Sequence, residues 1–202
     1  MPGYFARPGF HENVGDRKVT QTTMASAFSH AFVALALGKC FSRTKLKILV
    51  TGMICAALPD IDAIGFWIGV PYDSIWGHRG ITHSLFFALI LAAAVMIWMF
   101  PRIQSGNKAW WMQFMYLFLA TASHPLLDAM TNGGLGVAFF APFENSRYFF
   151  PFRPIRVSPI SVSRFFSDYG WQVFKSELVW IWIPSVLVMA LAVIGRSGKK
   201  SI

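Results

Sequence analysis

Leu58-Pro59-Asp60-Ile61-Asp62, followed after a short apolar run and a turn by Gly77-His78-Arg79-Gly80-Ile81-Thr82-His83-Ser84, is the stretch from which the rest of the chain is best read. Two carboxylates and two imidazoles stand here in sequence that is otherwise Leu, Ile, Ala, Phe and Trp. A charged side chain carried into a bilayer costs roughly 2.5–3.5 kcal/mol on insertion scales. Two carboxylates closing one apolar segment therefore need a compensator, and a divalent metal is the natural one. Carboxylate oxygen and imidazole nitrogen together suit zinc, manganese or iron, whereas calcium and magnesium favour oxygen alone.

Outward from this stretch, the chain of 202 residues is 55% hydrophobic and 13% charged, against about 25% charged in a soluble domain. It reads as an integral membrane protein. Five apolar runs, at about 25–39, 46–70, 84–100, 109–128 and 178–195, approach the ~20 residues that a helix needs to cross the hydrocarbon core, the first being the shortest. Continuous apolar runs lack the alternation of a barrel strand, so the spans are expected to be helices. The fold class expected is all-α, a polytopic bundle of about five hydrophobic helices with a long loop between the fourth and fifth.

Residues 1–23 are polar, with no apolar core of the signal-peptide kind, and read as a disordered tail or as sequence ahead of a natural start at Met24. Residues 24–197 form the membrane-embedded domain. Cys40 and Cys55 are too few for a disulfide framework or a thiolate metal site. The net charge of +9 is read as topology and lipid-headgroup contact, with no nucleic-acid partner expected. By the positive-inside rule, the basic 39–47 loop and the carboxyl terminus are expected in the cytoplasm.

The fourth run ends in His124-Pro125-Leu126-Leu127-Asp128, with a histidine and an aspartate four apart on one helical face. His30 is the only ionisable group in the first run ahead of Lys39 at its end. With helices alternating in direction, His30, Asp60, Asp62, His78, His83, His124 and Asp128 converge on one membrane face. Four of the five histidines and three of the nine acids at one level point to a shared metal site. The set exceeds one tetrahedral ion, so the expectation is either two ions or one ion with the rest as base and supporting groups, zinc first and manganese second. Asp62 or His83 would accept a proton from water, and Arg79 would hold an anionic substrate oxygen. In the long connection, phenylalanine pairs interleave with Arg147, Arg153 and Arg156, which suits a headgroup interface and marks these arginines as candidate substrate contacts.

At these residues the sequence resembles the YdjM-like family of membrane-bound, predicted metal-dependent hydrolases, whose bacterial members include LexA-controlled proteins. The motifs that carry the likeness are His30, Leu58 to Asp62, Gly77 to Ser84, and Ser123-His124 with Asp128 and the following Met130-Thr131 and Gly134. The resemblance implies metal binding by the same seven residues. More distantly, the order of ligands is similar to the zinc phospholipase C and S1/P1-type nuclease fold, although no histidine follows His124 here. The resulting expectation is a metal-dependent hydrolase of the bacterial inner membrane, acting on a lipid or phosphoester at the extracytoplasmic face. The rival expectation is a metal or proton transport, sensing or structural site without catalysis.

Overall fold

The computed structural model describes residues 23–24, 26–41, 45–159 and 167–197. The segment 1–23, apart from the backbone of Thr23, lies outside the described residues, as does Arg164 in the long connection. Within the described residues the protein is all-helical apart from a two-residue antiparallel pairing of Thr23–Met24 with Ser158–Pro159.

Each apolar run becomes a helix. Helix α1 is Ala27–Cys40, capped by Ser26, whose hydroxyl accepts from the Ser29 amide. Helix α2 is Leu46–Ala57 and continues as a tighter 3₁₀ segment, Leu58–Phe66. Pro59 explains the change, because it lacks the amide proton that would extend the α-helical ladder. Helix α3 is Leu85–Met99, with Ser84 as its cap, and α4 is Lys108–Ala129.

Helix α5 runs from Asp168 to Arg196 and contains a π turn at Leu178–Trp182. It begins ten residues before the apolar run that predicts it. The added part, Asp168–Glu177, is amphipathic and mostly polar, so apolar content alone could not register it.

Two helices, Leu46–Phe66 and Asp168–Arg196, are long and apolar enough to cross a membrane, while α1 and α3 are shorter apolar helices. Helix α4 is central, packing on α1, α2 and α3, and α5 packs on α1. Small residues make the close contacts: Ala34, Ala56, Ala92 and Ala120 are fully buried around Leu117, Met96 and Tyr116. That composition is typical where lipid removes the hydrophobic drive between helices and backbone proximity has to supply the attraction. The outer faces are apolar, with Trp98 84% exposed and Leu191 69% exposed, a surface suited to lipid and not to water.

The connection after α4 folds back on the end it leaves. The Ile155 amide donates to the Met130 carbonyl, and the Asn132 amide donates to the Ile155 carbonyl. The 72–80 loop is wound so tightly that a Cβ at Gly77 would meet the carbonyl oxygens of Pro71 and Tyr72, and one at Gly80 would meet that of Ile75. Between these glycines Arg79 takes a left-handed backbone with φ of 62°.

Candidate metal centre

His83 ends the short turn before α3, His124 and Asp128 share the last turns of α4, and Asp60 lies in the 3₁₀ extension of α2. Four atoms from these residues surround one point. His83 Nε2 and His124 Nε2 are 3.0 Å apart, and Asp128 Oδ2 is 3.3 Å from the first and 3.7 Å from the second. Asp60 Oδ1 is 3.6 Å from His83 Nε2 and 3.3 Å from His124 Nε2. A tetrahedral ion with bonds of about 2.0–2.1 Å holds its ligand atoms roughly 3.3–3.4 Å apart. The five separations straddle that value.

The far nitrogens of both rings are already engaged. His124 Nδ1 lies 2.7 Å from the Ala56 carbonyl, which can only accept, so the proton sits on Nδ1 and Nε2 carries a lone pair. His83 Nδ1 lies 3.1 Å from Asp62 Oδ2, which assigns the same tautomer. Two lone pairs at 3.0 Å repel unless a cation lies between them. Carbonyl-held and carboxylate-held imidazoles of this kind are the usual support of metal-ligating histidines.

Charge points the same way. Asp60, Asp62 and Asp128 bring three negative charges against the one guanidinium of Arg79, a balance that one divalent cation cancels when the imidazoles are neutral. Burial lowers the His83 pKa, but the negative charge of Asp128, Asp60 and Asp62 around the ring outweighs it and holds the pKa well above the usual histidine value. The pocket therefore favours a cation at His83. Two nitrogens and two oxygens in tetrahedral arrangement fit zinc best.

The other predicted ligands take different places. Asp62 is not at the four-atom point, because residues two apart in a 3₁₀ segment project in different directions. Its carboxylate is saturated: Oδ1 is 2.6 Å from His78 Nδ1, while Oδ2 accepts from Thr82 Oγ1 at 2.5 Å, from the Arg79 amide at 3.2 Å and from His83. Asp62 thus orients His83 and His78, and with those two histidines it forms a second group of candidate ligand atoms beside the first. His83, with Nε2 in the four-atom set and Nδ1 toward Asp62, belongs to both groups.

His78 Nε2 is buried without a hydrogen-bond partner, and its ring meets the edges of Phe66 and Tyr72. His30 is fully buried with both ring nitrogens unpartnered. Its ring stacks on His124 at 3.6 Å, and its Nε2 is 3.9 Å from Asp128 Oδ1. It stands beside the centre and not in the four-atom set.

The arginine assignments change too. Arg79 is fully buried, with Nε 3.1 Å from Asp128 Oδ2, Nη1 donating to the Gly133 carbonyl and Nη2 to Thr131 Oγ1. Committed in this way, it holds Asp128 in place and has no face for a substrate. Arg147 donates to the carbonyls of His78, Tyr72 and Ser74, clamping the 72–80 loop, and is likewise a structural residue. Arg156 is exposed, its Nη1 donating to Gln172 Oε1 of α5 at 2.6 Å. Arg153 is exposed over the Phe149 ring, 4.7 Å from its centroid.

One buried cluster escapes the sequence reading. Glu177 accepts from the Ser26 amide at 2.7 Å, the Ser26 hydroxyl at 2.6 Å and the Ser29 hydroxyl at 2.8 Å, while Trp182 Nε1 donates to Ser29 Oγ at 2.8 Å. The π turn, bonded between residues five apart, turns Glu177 and Trp182 toward the same serine. It pins the start of α1 one residue from His30. The available signals were a lone acid entering the last apolar run and the Ser26/Ser29 spacing.

Residues 24–200 match the model of the family described as YdjM inner membrane protein. The chain belongs to that family. It is also 36% identical over 170 residues to Inner membrane protein YbcI of Escherichia coli (strain K12), covering 83% of this chain and 96% of the relative. No solved structure matches. Membership identifies a bacterial inner membrane protein, as the resemblance implies, and agrees with the apolar composition.

Proposed function

We propose that the protein is a multi-pass, metal-dependent hydrolase of the inner membrane, acting on a lipid or phosphoester, with its centre at the extracytoplasmic face. The observation that carries the proposal is the convergence of His83, His124, Asp60 and Asp128 on one point with the far imidazole nitrogens already held. A divalent cation there supplies Lewis-acid polarisation of a scissile group and a water of lowered pKa. The chain's own residues supply the rest. Asp62 and the Ala56 carbonyl fix both ring orientations, and Arg79 fixes Asp128. His30, fully buried and stacked on His124, braces that ring beside the centre. Arg153, exposed on the strap that returns to the same end of α4, is the remaining candidate for an anionic headgroup.

A closed metal site that only pins the helices is the second reading, and complete burial of His83, His124 and Asp128 favours it. Hydrolysis of a bacterial lipid extract, measured with and without chelator, separates the two. Chelator-sensitive cleavage supports the hydrolase. Full metal occupancy with no cleavage of any lipid supports the closed site. For orientation, a reporter after Ile202 is expected to be active in the cytoplasm, and a cysteine at Asp73 to react with an impermeant reagent from outside.

A further inference from the structure

The end of the bundle opposite the metal centre carries a cavity of about 890 Å³ between the start of α2, the end of α3 and the start of α4. Helix α4 alone, 22 residues long, separates the two ends by about 30 Å. Lys45, Lys47 and Arg102 line the cavity together with the apolar rings of Trp98 and Phe100, and among the described residues no aspartate or glutamate does. Lys47 leans over the Phe100 ring, 4.9 Å from its centroid, with its ammonium donating to the Met99 carbonyl that ends α3. Lys45 and Arg102 are exposed at the rim.

The cavity also holds an unmet polar group. The side-chain oxygen of Gln113 is buried and has no hydrogen-bond partner, although the residue lines the cavity. A buried acceptor left unpaired destabilises the fold, so a ligand that brings a donor gains by filling it. Three cations call for an anion, Gln113 calls for a hydroxyl or amine, and the rings call for an apolar body.

These three requirements describe one molecule. We propose that the cavity binds the headgroup of an anionic glycerophospholipid, with the phosphate among Lys45, Lys47 and Arg102 and a headgroup hydroxyl on Gln113. Position agrees, since the cavity lies where apolar helices end and basic residues begin, the level of lipid phosphates. Free phosphate leaves the rings of Trp98 and Phe100 unused. The inference is independent of the metal centre and of any hydrolysis.

The test uses the full chain in neutral detergent, mixed with vesicles of phosphatidylcholine alone or doped with phosphatidylglycerol or phosphatidic acid. Native mass spectrometry reads the lipid retained, and thermal unfolding reads its effect. Phosphatidylglycerol is expected to be retained on the order of tenfold over phosphatidylcholine, given the usual contribution of each basic residue at a lipid surface. Lys45→Gln combined with Arg102→Gln, both exposed and harmless to packing, is expected to abolish that preference. Gln113→Leu should keep the preference for anionic lipid but lose the margin of phosphatidylglycerol over phosphatidic acid. Retention of phosphatidylglycerol no better than phosphatidylcholine, or undiminished in the double variant, overturns the proposal. So does inorganic phosphate raising the melting temperature as much as the lipid does.

Discussion

The two halves of the bundle are held together by opposite means. Away from the centre, α1, α2 and α4 meet largely through alanines, and the hydroxyl that bridges helices there, on Tyr116, lies within 3.2 Å of the Ala34 and Leu49 carbonyls. At the centre, the same three helices and the loop before α3 meet through carboxylates, imidazoles and one guanidinium. Contacts of the first kind are small and independent. Those of the second kind are coupled, because each charged group is buried only on condition that its partner is present. The difference predicts that single changes at the centre cost far more than single changes in the apolar half.

Asp128 gives the largest expected effect. Its carboxylate faces Arg79 at 3.1 Å, His83 at 3.3 Å and His124 at 3.7 Å. Asp128→Ala leaves a fully buried guanidinium without its counter-charge, a defect of about 3–5 kcal/mol. Against a total stability of about 5–15 kcal/mol, that is a large share, so yield and melting temperature should both fall sharply. Yield of monodisperse protein and its melting temperature measure this, and a variant that melts within a degree or two of the wild type would dissolve the contrast between the halves.

Next comes the distinction inside the centre. Asp60→Asn strips the charge from one atom of the four-atom set and His124→Ala removes another, and each should abolish stoichiometric zinc, with a lowered melting temperature that chelator lowers no further. Asp62→Asn leaves all four atoms and disturbs only the orientation of His83, so zinc should remain, bound about 10–100-fold more weakly. Metal analysis after dialysis against graded chelator reads the difference. Equal loss in Asp60→Asn and Asp62→Asn would put Asp62 in the same ligand set as Asp60.

This distinction also marks how far the sequence could be read. Helices and the converging His and Asp set were legible because ionisable groups are rare in an apolar chain and the direction of each run places them at one end. The division of labour between Asp60 and Asp62 was not, since it depends on a 3₁₀ segment imposed by Pro59, where an α-helix would have aimed them otherwise. Arg79 and Arg147 read as substrate contacts because spacing reports where a guanidinium starts and not which carbonyls it reaches. Glu177 meets Ser26 from 151 residues away, through a π turn that no local pattern announces.

The smallest expected effect tests the quiet half. Tyr116 is buried, and its hydroxyl lies 3.2 Å from the Ala34 carbonyl and 3.1 Å from that of Leu49, while its ring fills the space against Gly38 and Gly52. Tyr116→Phe keeps the ring and removes one shared hydrogen bond. Both carbonyls belong to helices, so their loss is one of strength and not of satisfaction, and interhelical bonds of this kind in membranes average about 0.6 kcal/mol. The melting temperature should therefore fall by only a few degrees, with zinc content and any chelator response unchanged. A loss of zinc in Tyr116→Phe would mean that the apolar half sets the geometry of the centre through α1 and α4, and that the two halves are one coupled unit.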